Sequence, residues 1–270
     1  MMGVHSVAAL LLSLLSLHVD AGSGHKDEYL KVAWVGNSYT HFFDLPQLVA
    51  SLAASAHPPV AIEFDSVTVG GSSLTRLADD ARVHEMLQRD WDYVVLQDQS
   101  QIPGGARPLE RDAAIATLRE YYRPALQLIR AEAVLYSTWG RRNGDPSFPE
   151  QYPDFLTMTA RTTEGYRLYQ TVMDNRPLLP ASLSPAGAAF AAVHQEDRDM
   201  FEALYDPDGS HPSIRGSYLV SCVFYGVLTR RFSAGLPFRP DVITEEERAY
   251  LQGVADRVVF GSRSIDDTLA

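Results

Sequence analysis

Two short segments near opposite ends of the chain hold residue types that together do nucleophilic chemistry: Val35-Gly36-Asn37-Ser38-Tyr39-Thr40 and Asp208-Gly209-Ser210-His211-Pro212-Ser213. A serine hydroxyl becomes a nucleophile when an imidazole takes its proton and a carboxylate orients the imidazole. Asp208 and His211 are three residues apart in a Gly/Pro-bearing loop. That spacing lets the carboxylate meet Nδ1-H across a turn and leaves Nε2 free to face Ser38. Read singly, each segment is equally a helix cap or a local turn; their co-occurrence gives them weight.

The elements between them must bring the two ends together. Apolar runs of strand length alternate with helical periodicity: strands at Lys31 to Val35, Ala61 to Val67, Tyr93 to Gln97, Ala133 to Ser137 and Pro177 to Leu179. Helices are expected at Leu45 to Ala56, Leu74 to Gln88, Leu109 to Ala131 and Thr159 to Asp174, and another from near Ser213. Crossovers of this length connect parallel strands, so the order predicts an α/β fold: a three-layer, doubly wound sandwich around a five-stranded parallel sheet. Runs such as VAWV and YVVL lack a polar face, as strands covered on both sides do. Open parallel sheets bind ligands beyond the carboxyl ends of their strands, so the residues following each strand are the candidates.

After the first strand comes Ser38. After the second come Gly70 and Gly71, where the backbone can approach a ligand closely and offer an N–H. After the third comes Gln97-Asp98-Gln99-Ser100-Gln101, a source of side-chain amides, and after the fourth Trp139-Gly140-Arg141-Arg142-Asn143. A tryptophan with polar neighbours suits a sugar face and is equally suited to core packing. Arg141 and Arg142 suit either that sugar or a carboxylate or phosphate.

These blocks in this order (G-N-S, glycine, amide, D-x-x-H-P) resemble the SGNH/GDSL hydrolase superfamily over Lys31 to Leu228. Within it GNSYT, LQDQSQ and DGSHPS resemble a bacterial-type subgroup more than the lipases. The resemblance implies a flavodoxin-like fold and a serine esterase or deacylase without metal or cofactor. It puts the nucleophile on Ser38, the base on His211 and the orienting acid on Asp208. The oxyanion donors fall on the Ser38 amide, Gly71 (or Gly70 in its place) and Gln99; Trp139 and Arg141 are the substrate-binding candidates. Two positions depart from the family pattern: Asn37 stands where an aspartate precedes the serine, and Gln99 falls on the oxyanion asparagine. The function expected is hydrolysis of a small acyl ester, acetyl first, on a carbohydrate. The alternatives are a secreted acyltransferase with the same residues and a catalytically silent carbohydrate- or ligand-binding protein.

With 270 residues, 46% of them hydrophobic, the chain is long enough for a large core. A net charge of -11 argues against a nucleic-acid partner, which draws on a basic surface. Residues 6–17 read SVAALLLSLLSL, and Val19-Asp20-Ala21 places small residues at the cleavage positions. A signal peptide over 1–21 is therefore expected, with a single domain over 22–270 in a secreted or endomembrane-lumenal protein without an anchor. The lone Cys222, in the run YLVSCVFYGVL, reads as a buried small hydrophobe. The histidines show no metal-ligand spacing.

Overall fold

The computed structural model describes residues 29–261, so the expected signal peptide lies outside the described residues. Five strands, β1 (Tyr29–Gly36), β2 (Ala61–Thr68), β3 (Tyr93–Leu96), β4 (Glu132–Tyr136) and β5 (Ala181–Ser184), form one sheet in the order β2-β1-β3-β4-β5. Every pairing is parallel. The helices are α1 (Ser38–His41), α2 (Leu45–Ala54), α3 (Leu74–Leu77), α4 (Ala81–Met86), α5 (Pro108–Thr117), α6 (Arg123–Ile129), α7 (Phe155–Met173), α8 (Ala186–Glu196), α9 (Arg198–Ala203), α10 (Ile214–Thr229) and α11 (Glu245–Phe260).

Successive β1 side chains enter opposite cores. Val32 and Trp34 join the cluster built with α2, α8, α10 and α11. Ala33 and Val35 join the one built with α3 to α7. Both faces are thus covered, which is why these strands read as uninterrupted apolar runs and not as an alternation. The result is the expected three-layer α/β sandwich. The strand order reverses direction between β1 and β3, the crevice where a doubly wound sheet binds its ligands. Ser38 follows β1 and Gln99 follows β3, so the topology sets both at that crevice. Among the described residues no helix is long and apolar enough to cross a membrane.

Several boundaries differ from expectation. The fifth strand is Ala181–Ser184, not Pro177 to Leu179, which closes a small loop through an Asn175–Leu179 bridge. Proline has no N–H to give a ladder and Leu178 faces solvent, whereas the serines of Ala-Ser-Leu-Ser masked the true strand. The helix expected over Leu74 to Gln88 breaks into α3 and α4, because the Asp80 side chain caps Arg82 N and restarts the helix. The long helix from Leu109 is interrupted by a π turn at Leu118–Tyr122. It lies just before Pro124, whose missing N–H cannot continue the α ladder. The helix expected from Thr159 begins at Phe155, capped by Asp154, while α8, α9 and α11 had not been expected.

One buried carboxylate fastens the loops at the crevice. Asp98, fully buried, accepts from Leu74 N (2.9 Å) and Gln99 N (2.8 Å) through Oδ1 and from the Tyr169 hydroxyl (2.9 Å) through Oδ2. It therefore ties the end of β3 to the start of α3 and to α7. Burial raises its pKa to about 6, and the three hydrogen bonds only partly offset that. A folded-state pKa above the unfolded value means that the native protein holds more protons between about pH 4 and 6. Stability contributed by this group is thus greatest in acid and falls as pH rises through that window. An asparagine in its place keeps an acceptor for the two backbone N–H groups without the charge. For the substitution Asp98→Asn, stability relative to wild type should therefore rise between pH 4.5 and pH 7.5, by on the order of 2–3 kcal/mol, as read from paired melting curves. The remaining carboxylates are common to both proteins and cancel; a pH-independent difference would refute the account.

Candidate active site

The turn that carries Ser38 is built from β1 outward. A Cβ on Gly36 would lie 2.4 Å from Thr40 Oγ1 and 2.7 Å from Gln97 Oε1, so only glycine lets the strand turn this tightly. Asn37 caps α1: its Oδ1 accepts from Tyr39 N (3.1 Å) and its Nδ2 donates to the Ser72 carbonyl (2.9 Å). Gln97 Oε1 accepts from Asn37 N (2.8 Å) and from the Thr40 hydroxyl (3.0 Å). A carboxylate at position 37 accepts equally well but has no proton for Ser72, which accounts for the amide here. Ser38 is the first residue of α1, where an N–H has no intrahelical acceptor. That N–H, like that of Gly71, has no hydrogen-bond partner among the described residues.

Facing this turn is the loop before α10. Asp208 Oδ1 accepts from Ser210 N (2.8 Å) and His211 N (2.9 Å), an Asx turn that leaves Oδ2 for the imidazole. Gly209 sits at φ 67°, a left-handed conformation that glycine adopts without strain. Its carbonyl accepts from Arg142 N at 2.8 Å, and Asp206 N donates to the His211 carbonyl at 2.9 Å, closing the loop on itself. His211 Nδ1 lies 2.5 Å from Asp208 Oδ2, and Nε2 lies 2.8 Å from Ser38 Oγ. With Nδ1 protonated toward the carboxylate, Nε2 carries the lone pair that accepts the serine proton. Burial pushes the Asp208 carboxyl up, and the bonds from His211 and the two amides outweigh it, so that its pKa falls below the ordinary value. Asp208 therefore stays ionised as a partner for an imidazolium.

Aromatic packing fixes the imidazole. Phe42 stacks on the His211 ring at 4.2 Å and Tyr39 meets it edge-on at 5.5 Å. Behind them Tyr39, Trp139 and Phe190 form a continuous stack, with ring centroids 4.9 and 4.1 Å apart. The Tyr39 hydroxyl is 2.8 Å from Ser210 Oγ, and Trp139 Nε1 donates to the Ser210 carbonyl (3.2 Å). Trp139 is fully buried in this stack, with no face left for a sugar. The sequence expectation of a substrate platform is corrected to a packing role: one ring face lies on Tyr39 and the other on Phe190. Just beyond Phe42, Phe43 and Asp44 both adopt positive φ (53° and 51°), a costly conformation for non-glycine residues and one that concentrates near functional sites.

The remaining candidates form a hydrogen-bonded chain. Gln99 Nε2 donates to Gln101 Oε1 (3.1 Å), while Gln101 N donates back to Gln99 Oε1 (2.8 Å). Gln101 Nε2 donates to the buried Asp145 carboxylate (2.5 Å), which also accepts from Arg141 Nη1 (2.8 Å). Gln99 thus lines the Gly71 side of the crevice with one of its amide protons bonded to Gln101, and Arg141 is paired with Asp145. Arg141, Arg142, Tyr152, Asp208 and Ser210 line a cavity of about 360 Å³ beside the histidine loop. A second cavity, about 280 Å³, includes Gly71 and Gln99 in its wall. Gly70 is exposed on the same turn.

Asp145 and the Phe42 and Tyr39 rings escaped the sequence reading. Asp145 lies in a Gly/Pro-rich loop where an acid ordinarily faces water, and aromatic residues carry no mark of what they will stack upon. Cys222 is buried, with its thiol pushed up to about 12 by burial. Among the described residues no cluster of His, Cys, Asp and Glu is placed to hold a metal ion.

No protein-family model matches the chain, and no curated protein matches it by sequence. Solved structures do. A DUF4886 family protein from Bacteroides uniformis superposes with a TM-score of 0.69 at 18% identity, covering 90% of this chain and 99% of its own. A protein from Slackia heliotrinireducens described as a candidate SGNH hydrolase gives 0.56 at 23% identity, covering 73% and 98%. A variant of an acetyl-xylooligosaccharide esterase from Geobacillus gives 0.55 at 15% identity, covering 75% and 96%. At such identities the likeness speaks for architecture: the chain has an SGNH-like three-layer α/β fold.

Proposed function

We propose that the protein is a serine hydrolase that cleaves short acyl esters through an acyl-enzyme. The observation that carries this reading is the continuous relay of Asp208 Oδ2, the His211 imidazole and Ser38 Oγ, with links of 2.5 and 2.8 Å. In the first half-reaction Ser38 Oγ adds to the ester carbonyl as its proton passes to His211 Nε2. The imidazolium formed is held by Asp208, and then gives the proton to the departing alcohol. The unpartnered N–H groups of Ser38 and Gly71 are the donors for the oxyanion. In the second half-reaction water enters, loses a proton to the same Nε2 and releases the acid.

A carbohydrate is the alcohol this reading favours. The cavity beside the histidine loop is where an alcohol protonated by His211 would leave, and its wall offers Arg142 and Arg141 guanidinium donors and the Tyr152 and proline surfaces. An esterase of acetylated xylooligosaccharides shares the fold. The short, fully engaged relay also supports catalysis over a silent binding protein, because a ligand-binding role makes no use of a serine aligned on an imidazole. An acyltransferase uses the same relay with an alcohol in place of water.

Replacing Ser38 by alanine is expected to abolish turnover of 4-nitrophenyl acetate and covalent labelling by a fluorophosphonate, with the melting temperature retained. Labelling that persists in this variant would place the nucleophile elsewhere. Gln99 Nε2 gives one proton to Gln101 and keeps a second for a third oxyanion bond, so Gln99→Ala reads that contribution: kcat should fall by about 10²-fold with KM changing less than about threefold. A loss confined to KM would remove Gln99 from the oxyanion site.

A further inference from the structure

One cavity is walled by the histidine loop and the other by the Gly71 turn, and the relay decides which part of the ester each receives. The leaving oxygen must sit on the imidazole side of the tetrahedral carbon to take its proton from His211 Nε2. The alcohol is therefore directed toward the cavity walled by Asp208 and Ser210. The acyl substituent points away from the imidazole, toward the cavity of about 280 Å³ that includes Gly71 and Gln99. That cavity adjoins the nucleophile turn through the bond from Asn37 Nδ2 to the Ser72 carbonyl (2.9 Å).

Its wall is not that of a fatty-acyl tunnel. Beyond Gly71 and Gln99 it consists of Ser73, Thr75, Arg76 and Arg107, with Glu110 and only two apolar side chains, Ile102 and Ala113. Arg107 Nη1 is paired with Glu110 at 3.1 Å, so the one acid present is matched. The Arg76 guanidinium has no side-chain partner among the described residues. The cavity therefore carries one uncompensated positive charge and surplus hydroxyl donors, on a chain whose overall charge is -11. An alkyl chain gains little there, whereas an acceptor-rich anionic group gains an ion pair and hydrogen bonds.

We propose that this cavity is the acyl subsite and that it selects a short acyl group ending in a carboxylate, of the succinyl type, with Arg76 as the residue that recognises the charge. This rests on the hydrolase reading above and narrows its substrate from any short acyl ester to a hemiester of a dicarboxylic acid.

The test compares monoethyl succinate with ethyl pentanoate, which share a leaving alcohol and nearly a length, by ethanol release from the full chain. Monoethyl succinate should have the higher kcat/KM by about tenfold, a preference that shrinks as salt screens the ion pair. Arg76→Gln should remove most of the preference and Arg76→Glu should invert it. Since Arg76 is exposed, both variants should melt with wild type. Equal or faster turnover of ethyl pentanoate by wild type overturns the proposal, as does a preference that survives in Arg76→Glu. If neither ester is cleaved, the hydrolase reading is at fault and succinate binding measured by calorimetry decides the subsite alone. Binding that is lost in Arg76→Glu supports it, and absence of binding to wild type overturns it.

Discussion

A hydroxyl at residue 38 and an imidazole at residue 211 stand 2.8 Å apart only if two loops from opposite ends of the chain are clamped together. The clamp is aromatic. Tyr39, the neighbour of Ser38, stacks on Trp139 from the β4 loop, and both reach Ser210 beside His211. Burying large flat rings supplies non-directional stabilisation, and the two polar tips convert it into position. The turn after β1, the segment after β4 and the loop before α10 are thus held as one body. Everything the relay does presupposes that stack.

Around it, polar groups inside the protein carry out alignment that apolar packing cannot. Gln97 and Asn37 lock the β1 turn to the ends of β2 and β3, and Asp98 fastens β3 to α3 and α7. Each is buried and each is hydrogen-bonded, the condition under which such groups add specificity, although for Asp98 the bonds offset only part of the desolvation cost. The chain Gln99, Gln101, Asp145, Arg141 extends the same principle across the crevice, linking the cavity beside Gly71 to the one beside the histidine loop.

Much of this was legible in the residues. The parallel layout followed from alternating apolar runs and helix-length crossovers, and the placing of Ser38 and Gln99 at the crevice followed from the layout. What failed did so for local reasons. Ala181–Ser184 carries too little apolar character to announce a strand, and Pro177 to Leu179, more apolar, lacks a donor where a ladder needs one. At the site, Trp139 was visible as a residue but its surroundings were not: its burial depends on Phe190 of α8, a helix whose alanine-rich sequence gave no periodic signal. Asn37 looked like a lost charge. Its two bonds make it a bridge between strands, which only the positions of Ser72 and Tyr39 disclose.

The imidazole of His211 lies with one face on Phe42 and its edge toward Tyr39. These contacts and the bonds at Nδ1 and Nε2 hold the ring in a single orientation. In the reaction proposed, Nε2 must point the same way when it releases a proton to the departing alcohol and when it takes one from whatever attacks next. Departing and arriving molecules therefore share one doorway, on the side of Arg141 and Arg142. For the chemistry proposed, whether water or a second alcohol ends the cycle is a contest for that doorway: an alcohol that lingers there returns its own acyl group, and one that clears quickly lets water in.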